Sequence, residues 1–372
     1  MKVGILTLSG GFWNMSMEES VKYVSIIGAT GYVGAELVRG FAGHPNFRFR
    51  HLTSKTFAGK PYSEIYPVFR GVVDNICEEL SPEEAAQDSD LVITALPHGV
   101  SSKAVPEILK TGARVIDHSG DFRYKDVATY EKSYNLTHPN PELLKTAVYG
   151  IPEFYRDELK DAKLVANPGC YPTCSLMALA PFLKAGLIDQ DSIIIDAVSG
   201  VSGAGRKADL AYAFCEEDDS FKPYGAVGHR HTSEIAEQCS LLAGKDPGDI
   251  KVTFTPHLAP FKRGMLATIY VKPTKAFGEV TSEKINDIYK EFYKDETFVR
   301  VLPGKTLPDV KAVACSNYIE VNGLFDPETG IIKLFSAQDN LGKGAALQAI
   351  QAANAMFGFP ETAGLKNIVR GI

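Results

Sequence analysis

The chain has 372 residues, 45% hydrophobic and 23% charged, enough to bury sizeable cores and, by length, to form two domains. Lys and Arg number 39 against 45 Asp and Glu; this net charge of −6 argues against a nucleic-acid partner. No stretch approaches the roughly 20 apolar residues of a membrane span, and six cysteines without a C-x-x-C pair fit neither a disulfide scaffold nor a zinc knuckle.

Residues 1–20 read as an N-terminal extension. Met15 or Met17 is an alternative start, and a short extra strand is another reading. No secretory signal is expected there, and a reducing cytoplasm is the expected compartment. From Val21 the pattern alternates. Val24–Ile27 reads as a buried strand, Gly31–Phe41 as a helix, and Phe47–Leu52 as an alternating strand. Leu91–Leu96 and Arg114–Asp117 read as strands around a helix at Ser101–Lys110. Strands separated by helices predict a covered parallel sheet. Further on, Ser192–Val198, Lys251–Thr255, Gly264–Lys272, Phe298–Leu302, Ser316–Phe325 and Ile331–Ser336 read as strands with few helices between them. Asp326–Gly330 is the turn of a hairpin. That half is expected to be α+β with a mainly antiparallel sheet. Lys343–Phe357 reads as an Ala-rich helix that returns to the first half. The expected domains are 21–167 with 340–372, and 168–339.

Three segments carry chemistry. Gly28-Ala29-Thr30-Gly31-Tyr32-Val33-Gly34 ends a strand and opens a helix. Glycines there let a backbone approach a pyrophosphate, and the helix N-terminus supplies N–H donors. Read alone, such a motif is also a tight turn. A site for NAD would carry Asp or Glu about 20 residues later. Here Ser54 and Lys55 follow Leu52-Thr53, which suits a ribose 2′-phosphate, or else is a solvated loop. Asn167-Pro168-Gly169-Cys170-Tyr171-Pro172-Thr173 ends a second strand and opens another helix. A cysteine at a helix N-terminus is expected to have a lowered pKa. Cys174, one turn on, reads as packing. In Gly228-His229-Arg230-His231 a histidine can serve Cys170 as acid or base; metal ligation is the lesser reading, and no metal is expected. Two loops complete the set. Ser199–Lys207 reads as an anion clamp or a flexible linker, and Ala337–Gly344 as a functional loop or a helix cap. A Tyr-x-x-x-Lys pair, needed by short-chain dehydrogenases, occurs at none of the 16 tyrosines.

The segments IIGATGYVGAELVR, ALPHG, YGIPE, NPGCYPT, SGVSGAGR, PYGAVGHRH, TPHLAPFKRG and QDNLGKGAALQAIQ, in this order, resemble the N-acetyl-γ-glutamyl-phosphate reductases. The likeness runs from about Val24 to the C-terminus. It implies a Rossmann domain plus a catalytic α+β domain, similar to glyceraldehyde-3-phosphate dehydrogenase. It implies an NADPH-dependent enzyme that reduces an acyl phosphate through a thioester on the nucleophile Cys170. It implies a small-molecule substrate and a homo-oligomer, dimer or tetramer. His229 is the implied catalytic histidine, because in related semialdehyde dehydrogenases that histidine follows a glycine; on an extended strand only one of the pair would meet Cys170. Implied cofactor contacts are Gly28, Thr30, Gly31, Tyr32, Val33, Gly34, Ser54, Lys55, Pro97 and Asn340. Implied substrate contacts are Ser199, Gly200, Arg206, His231 and Arg263. Two positions depart from the family pattern: Cys174, usually Gly or Ala, and His118, where a hydrophobic residue is expected. Aspartate-semialdehyde dehydrogenase, a carrier-protein-linked amino-acid phosphate reductase, a cysteine hydrolase and a non-catalytic NADP-sensing module, which would bind without turnover, are the rival readings.

Overall fold

A computed structural model describes residues 21–366; residues 1–20, the expected extension, lie outside the described residues. The first half builds a seven-stranded sheet from β1 (Lys22–Ile27), β2 (Phe47–Thr53), β3 (Cys77–Glu78), β4 (Leu91–Thr94), β5 (Arg114–Asp117), β6 (Val148–Tyr149) and β7 (Leu164–Ala166). Its order is β3-β2-β1-β4-β5-β7-β6 and every pairing is parallel. β4 is buried throughout, as strands covered on both faces must be. The order reverses between β1 and β4, and a crevice opens at the strand ends there. Helices α1 (Tyr32–Phe41) and α2 (Ser101–Lys110) are amphipathic and turn their apolar faces to the sheet. Helix α3 (Pro152–Asp161) leads into β7.

The second half builds another seven-stranded sheet from β8 (Ile194–Gly200), β9 (Lys222–Pro223), β10 (Thr253–Ala259), β11 (Met265–Val271), β12 (Val299–Val301), β13 (Ile319–Asp326) and β14 (Ile331–Gln338). The order is β12-β13-β14-β11-β8-β10-β9. Four of its six pairings are antiparallel; β12–β13 and β8–β10 are parallel. The β13–β14 hairpin turns at Asp326–Gly330 as its sequence predicts. Helix α4 (Cys170–Lys184) packs on β11 and β14, beside α5 (Arg230–Leu242) and α6 (Ser282–Phe292). Every residue of α4 from Tyr171 to Leu183 is buried. A helix apolar on all sides belongs inside a core, and this one places Cys170 at its inner end.

The Ala-rich segment is not one regular helix. Gly342–Ala346 forms a π-turn, in which the N–H groups of Gly344 and Ala346 reach back five residues, and α7 (Leu347–Met356) follows. Asp339 fixes the turn by accepting from the N–H groups of Leu341 and Gly342 at 2.9 and 2.8 Å. As expected, α7 packs on the first half: its alanines share a core with Val24, Leu37 and Leu159. Within this junction lies a fully buried ion pair, Lys343 Nζ to Glu153 Oε1 at 2.6 Å, with Gln351 hydrogen-bonded to both. Burial raises the Glu153 carboxyl, but Lys343 and Gln351 outweigh that and hold it below the usual carboxylate range. We expect Glu153→Ala to lower stability by about 3–5 kcal/mol, because it strands the Lys343 ammonium in the core. Replacing both residues by apolar ones should cost far less. Denaturant midpoints of the single and double variants test this, and an equal or larger loss in the double variant would contradict it.

Candidate active site

The glycine loop turns at the end of β1. Gly28 has φ +86°, and a Cβ there would lie 2.6 Å from the Ala95 carbonyl oxygen. A Cβ on Gly34 would lie 2.4 Å from the Gly28 carbonyl oxygen, so the loop can close only with glycine at both places. No side chain caps α1, and Gly31, Tyr32, Val33 and Gly34 at its start all line the cleft. Such a cradle fits the diphosphate of a dinucleotide. Thr30 Oγ1 lies 2.9 Å from Ser54 Oγ, at the end of β2. Lys55 is exposed beside it. Pro97 lines the cleft across from the loop. Asn340 does too; it accepts from the Gly264 N–H at 2.8 Å and donates to Ser202 Oγ at 3.0 Å.

The same cleft, of about 470 Å³, reaches Cys170. Gly169 is the N-cap of α4 and makes no side-chain cap; Gln338 holds the helix start by donating to the Cys170 carbonyl at 2.8 Å. The thiol pKa is not lowered as the helix position predicts. Burial pushes it up to about 11, and the pull of the Tyr171 and Cys170 N–H groups and of Arg123 does not compensate. Desolvation of the thiolate wins over the helix dipole. A thiol in this setting would need a neighbouring base to ionise.

The histidine loop corrects the expectation of an extended strand. Arg230–Leu242 is helical, and His229 is its N-cap, its Nδ1 accepting from the His231 N–H at 3.1 Å. His231 stands in the first helical turn and faces the start of α4: a Cβ on Gly169 would lie 2.5 Å from His231 Nε2. His231 lines the cleft with Cys170, and His229 does not. Burial, reinforced by His229, Arg123, Arg230 and His98, holds the His231 imidazole well below its ordinary pKa, so it is neutral. Burial and Arg230 bring His229 down to about 4.

Behind both helices lies Glu234, fully buried on α5. It accepts from Gly169 N at 2.9 Å, Tyr149 OH at 2.8 Å and Arg123 Nη1 at 3.0 Å. Arg123 also donates to the carbonyls of Asn167 and His118, both at 2.8 Å. This hub fixes the α4 start, the α5 start and a cleft-facing guanidinium together. Neither Glu234 nor Arg123 is marked by a sequence motif of its own; HRHTSEI and DFR hold them, and only the fold joins the two. His98, His118 and Arg230 also line the cleft.

Several expected contacts fall elsewhere. Arg263 does not face the cleft: its guanidinium is shared between Glu36 (2.9 and 3.0 Å) and Asp339 (2.8 and 2.9 Å), which ties α1 to the π-turn. Gly200 is a packing residue, where a Cβ would meet the Phe261 carbonyl oxygen at 2.6 Å. Ser199 is buried, and its hydroxyl donates to the Gly200 carbonyl. Arg206 lines the cleft but hydrogen-bonds to the glycine loop, on the nucleotide side. Cys174 is buried against Ser336, as its packing role predicts.

The cleft joins the switch point of a parallel sheet to a cysteine at the start of a helix packed on a mixed sheet, and the family matches make the chain a semialdehyde dehydrogenase. Residues 23–162 match the family described as semialdehyde dehydrogenase, NAD binding domain, and residues 170–340 match semialdehyde dehydrogenase, dimerisation domain. The fold is similar to aspartate semialdehyde dehydrogenase II from Vibrio cholerae, with TM-score 0.68, 20% identity, and 90% of this chain and 98% of that one covered. It is equally similar to the Candida albicans enzyme with NADP, at TM-score 0.68, 18% identity, and 93% and 99% coverage. N-acetyl-gamma-glutamyl-phosphate reductase from Acetivibrio thermocellus is 51% identical over 92% of this chain and 98% of its own length. The one from Pelotomaculum thermopropionicum is 48% identical over 92% and 97%. The chain belongs to the N-acetyl-gamma-glutamyl-phosphate reductase family.

Proposed function

We propose that the protein reduces N-acetyl-L-glutamyl 5-phosphate to N-acetyl-L-glutamate 5-semialdehyde, with release of phosphate, in cytoplasmic arginine biosynthesis. It acts as a homo-oligomer, dimer or tetramer, with NADPH as reductant. The observation that carries this reading is one cleft holding the glycine cradle at one end and Cys170 with a neutral His231 at the other. His231 takes the thiol proton as Cys170 attacks the acyl carbon. The bond from that carbon to the phosphate oxygen breaks, phosphate leaves, and a thioester remains. Arg123 and Arg230 set positive charge against the substrate's phosphate and carboxylate. N–H groups at the α4 start hold the carbonyl oxygen as it gains charge. Gly31 to Gly34 and Asn340 would hold NADPH, which supplies the hydride for reduction of the thioester. His231 then returns its proton to the departing sulfur.

The test runs in the oxidative direction, with NADP, phosphate and either N-acetyl-glutamate 5-semialdehyde or aspartate 4-semialdehyde. Turnover with the first and not the second is expected. Preference for the second would identify the rival dehydrogenase; in the reductive direction, release of phosphate from the acyl phosphate without any change in NADPH absorbance would identify a cysteine hydrolase.

The preference for NADPH rests on Ser54 and Lys55, which follow β2 where an NAD site would carry Asp or Glu; the carboxylate of the neighbouring strand, Glu78, is engaged by His51 at 2.7 Å. Lys55→Glu should weaken NADPH binding by roughly 10-fold or more, through loss of attraction and gain of repulsion. Titration with both cofactors checks it; unchanged NADPH affinity would contradict the role of Lys55.

A further inference from the structure

Arg206 belongs to the second half of the chain, on the loop after β8, yet it spans the cleft. Its Nη1 donates to the Thr30 carbonyl at 2.8 Å and to Tyr66 OH at 3.1 Å. The guanidinium lies over the rings of Tyr66 and Phe57, 5.0 and 5.4 Å from their centroids. Gly205 precedes it at φ +82°, ψ −171°, a conformation that essentially only glycine adopts, and this turns the chain across the cleft.

The charge of Arg206 is met only by neutral oxygens and ring faces; no carboxylate pairs with it among the described residues. Its neighbour Lys207 has one, Asp209, at 3.7 Å. The Thr30 that receives Arg206 also presents its hydroxyl to Ser54. Lys55, exposed and likewise unpaired among the described residues, is next in the chain. Arg206 thus converges with the Thr30 and Ser54 hydroxyls at the end of β2, and Lys55 follows Ser54 in the chain. In a dinucleotide fold the adenosine ribose lies at this place.

We propose that Arg206 binds the 2′-phosphate of NADPH together with Ser54 and Lys55, so that a determinant of cofactor specificity comes from the half that carries the nucleophile. The proposal rests on the assignment of NADPH made above. A stacked guanidinium is already immobilised, so little entropy remains to be lost, and its Nε and Nη2 stay available for a phosphate dianion. Arg206 is then not a substrate contact but a bridge that the cofactor completes. The loop it ends also bears Ser202 and Gly203, which line the cleft with Cys170.

The alternative role for Arg206 is a latch that merely holds the halves together. Fluorescence titration of wild type, Arg206→Met and Arg206→Lys with NADPH, NADH, 2′,5′-ADP and 5′-AMP separates the two. Arg206→Met should weaken NADPH and 2′,5′-ADP on the order of 10–100-fold, while NADH and 5′-AMP change by less than about twofold. Arg206→Lys should fall between, keeping the charge and losing the fork. Equal losses for NADPH and NADH would mean a latch and overturn the proposal, as would unchanged NADPH binding; either leaves the wild-type preference standing. Wild-type protein that binds NADH as tightly as NADPH would overturn the cofactor assignment itself, and this proposal with it.

Discussion

Cys170→Ser should abolish acyl-phosphate reduction, by roughly 10⁴-fold or more, while leaving the fold and cofactor affinity intact. The reason is the burial that raises the thiol to about 11. In the proposed mechanism the thiol gives its proton to His231, and the sulfur that remains is soft and strongly nucleophilic. A serine hydroxyl in the same place would face the same desolvation from a much higher starting pKa. The substitution is nearly isosteric and retains the contacts of Gln338 and Gly169, so thermal melting should not move appreciably. Cys174→Ala gives the contrast. Its thiol, pushed up to about 12 by burial, contacts Ser336 and does not line the cleft. That variant should keep most of its turnover and lose only about 1 kcal/mol of stability. Turnover of both variants under saturating substrate and cofactor decides the matter. Loss at Cys174 with tolerance at Cys170 would remove Cys170 from the chemistry.

What the sequence makes legible follows from local pattern. β1 and α1 could be placed to within a residue or two because a buried strand, a glycine turn and an amphipathic helix each leave a period or a breaker. The hairpin at Asp326–Gly330 and the helix opening at Cys170 are legible for the same reason. Other features depend on what lies far away in the chain. Arg263 in TPHLAPFKRG looks like a cation awaiting an anionic substrate, until Glu36 and Asp339 arrive from 227 and 76 residues away to neutralise it. The sign of the Cys170 shift had the same cause. A helix start is visible in sequence, whereas the desolvation that overrides it is set by how α5, the π-turn and β14 close around it. The π-turn itself departs from the smooth helix that Lys343–Phe357 suggests. Nothing local reveals that Asp339 caps it or that Glu153 must neutralise Lys343.

The histidine pair shows how one secondary-structure assignment changes a mechanism. On a strand, residues two apart share a face, and the glycine before His229 favoured that residue. On the helix that forms instead, the first residue caps and the third points inward. His229 Nδ1 is engaged by the His231 N–H, so its ring is committed to holding the helix start. His231 has a buried Nδ1 with no partner among the described residues, and its Nε2 lies against Gly169. We therefore expect His231→Asn to lower turnover by about 10²–10⁴-fold, the range of general acid–base catalysis. His229→Asn should cost about 10-fold or less, since asparagine is itself a good N-cap. The pH profile adds a second readout. The active imidazole is the neutral one, and its pKa lies well below the ordinary 6.5. Turnover should thus hold steady as pH falls through 6.5 and decline only at lower pH, as His231 takes up a proton. In His231→Asn that acid limb should disappear, while His229→Asn should keep it. A larger loss at His229, or an acid limb centred at or above 6.5, would return the catalytic role to His229 or to another group in the cleft.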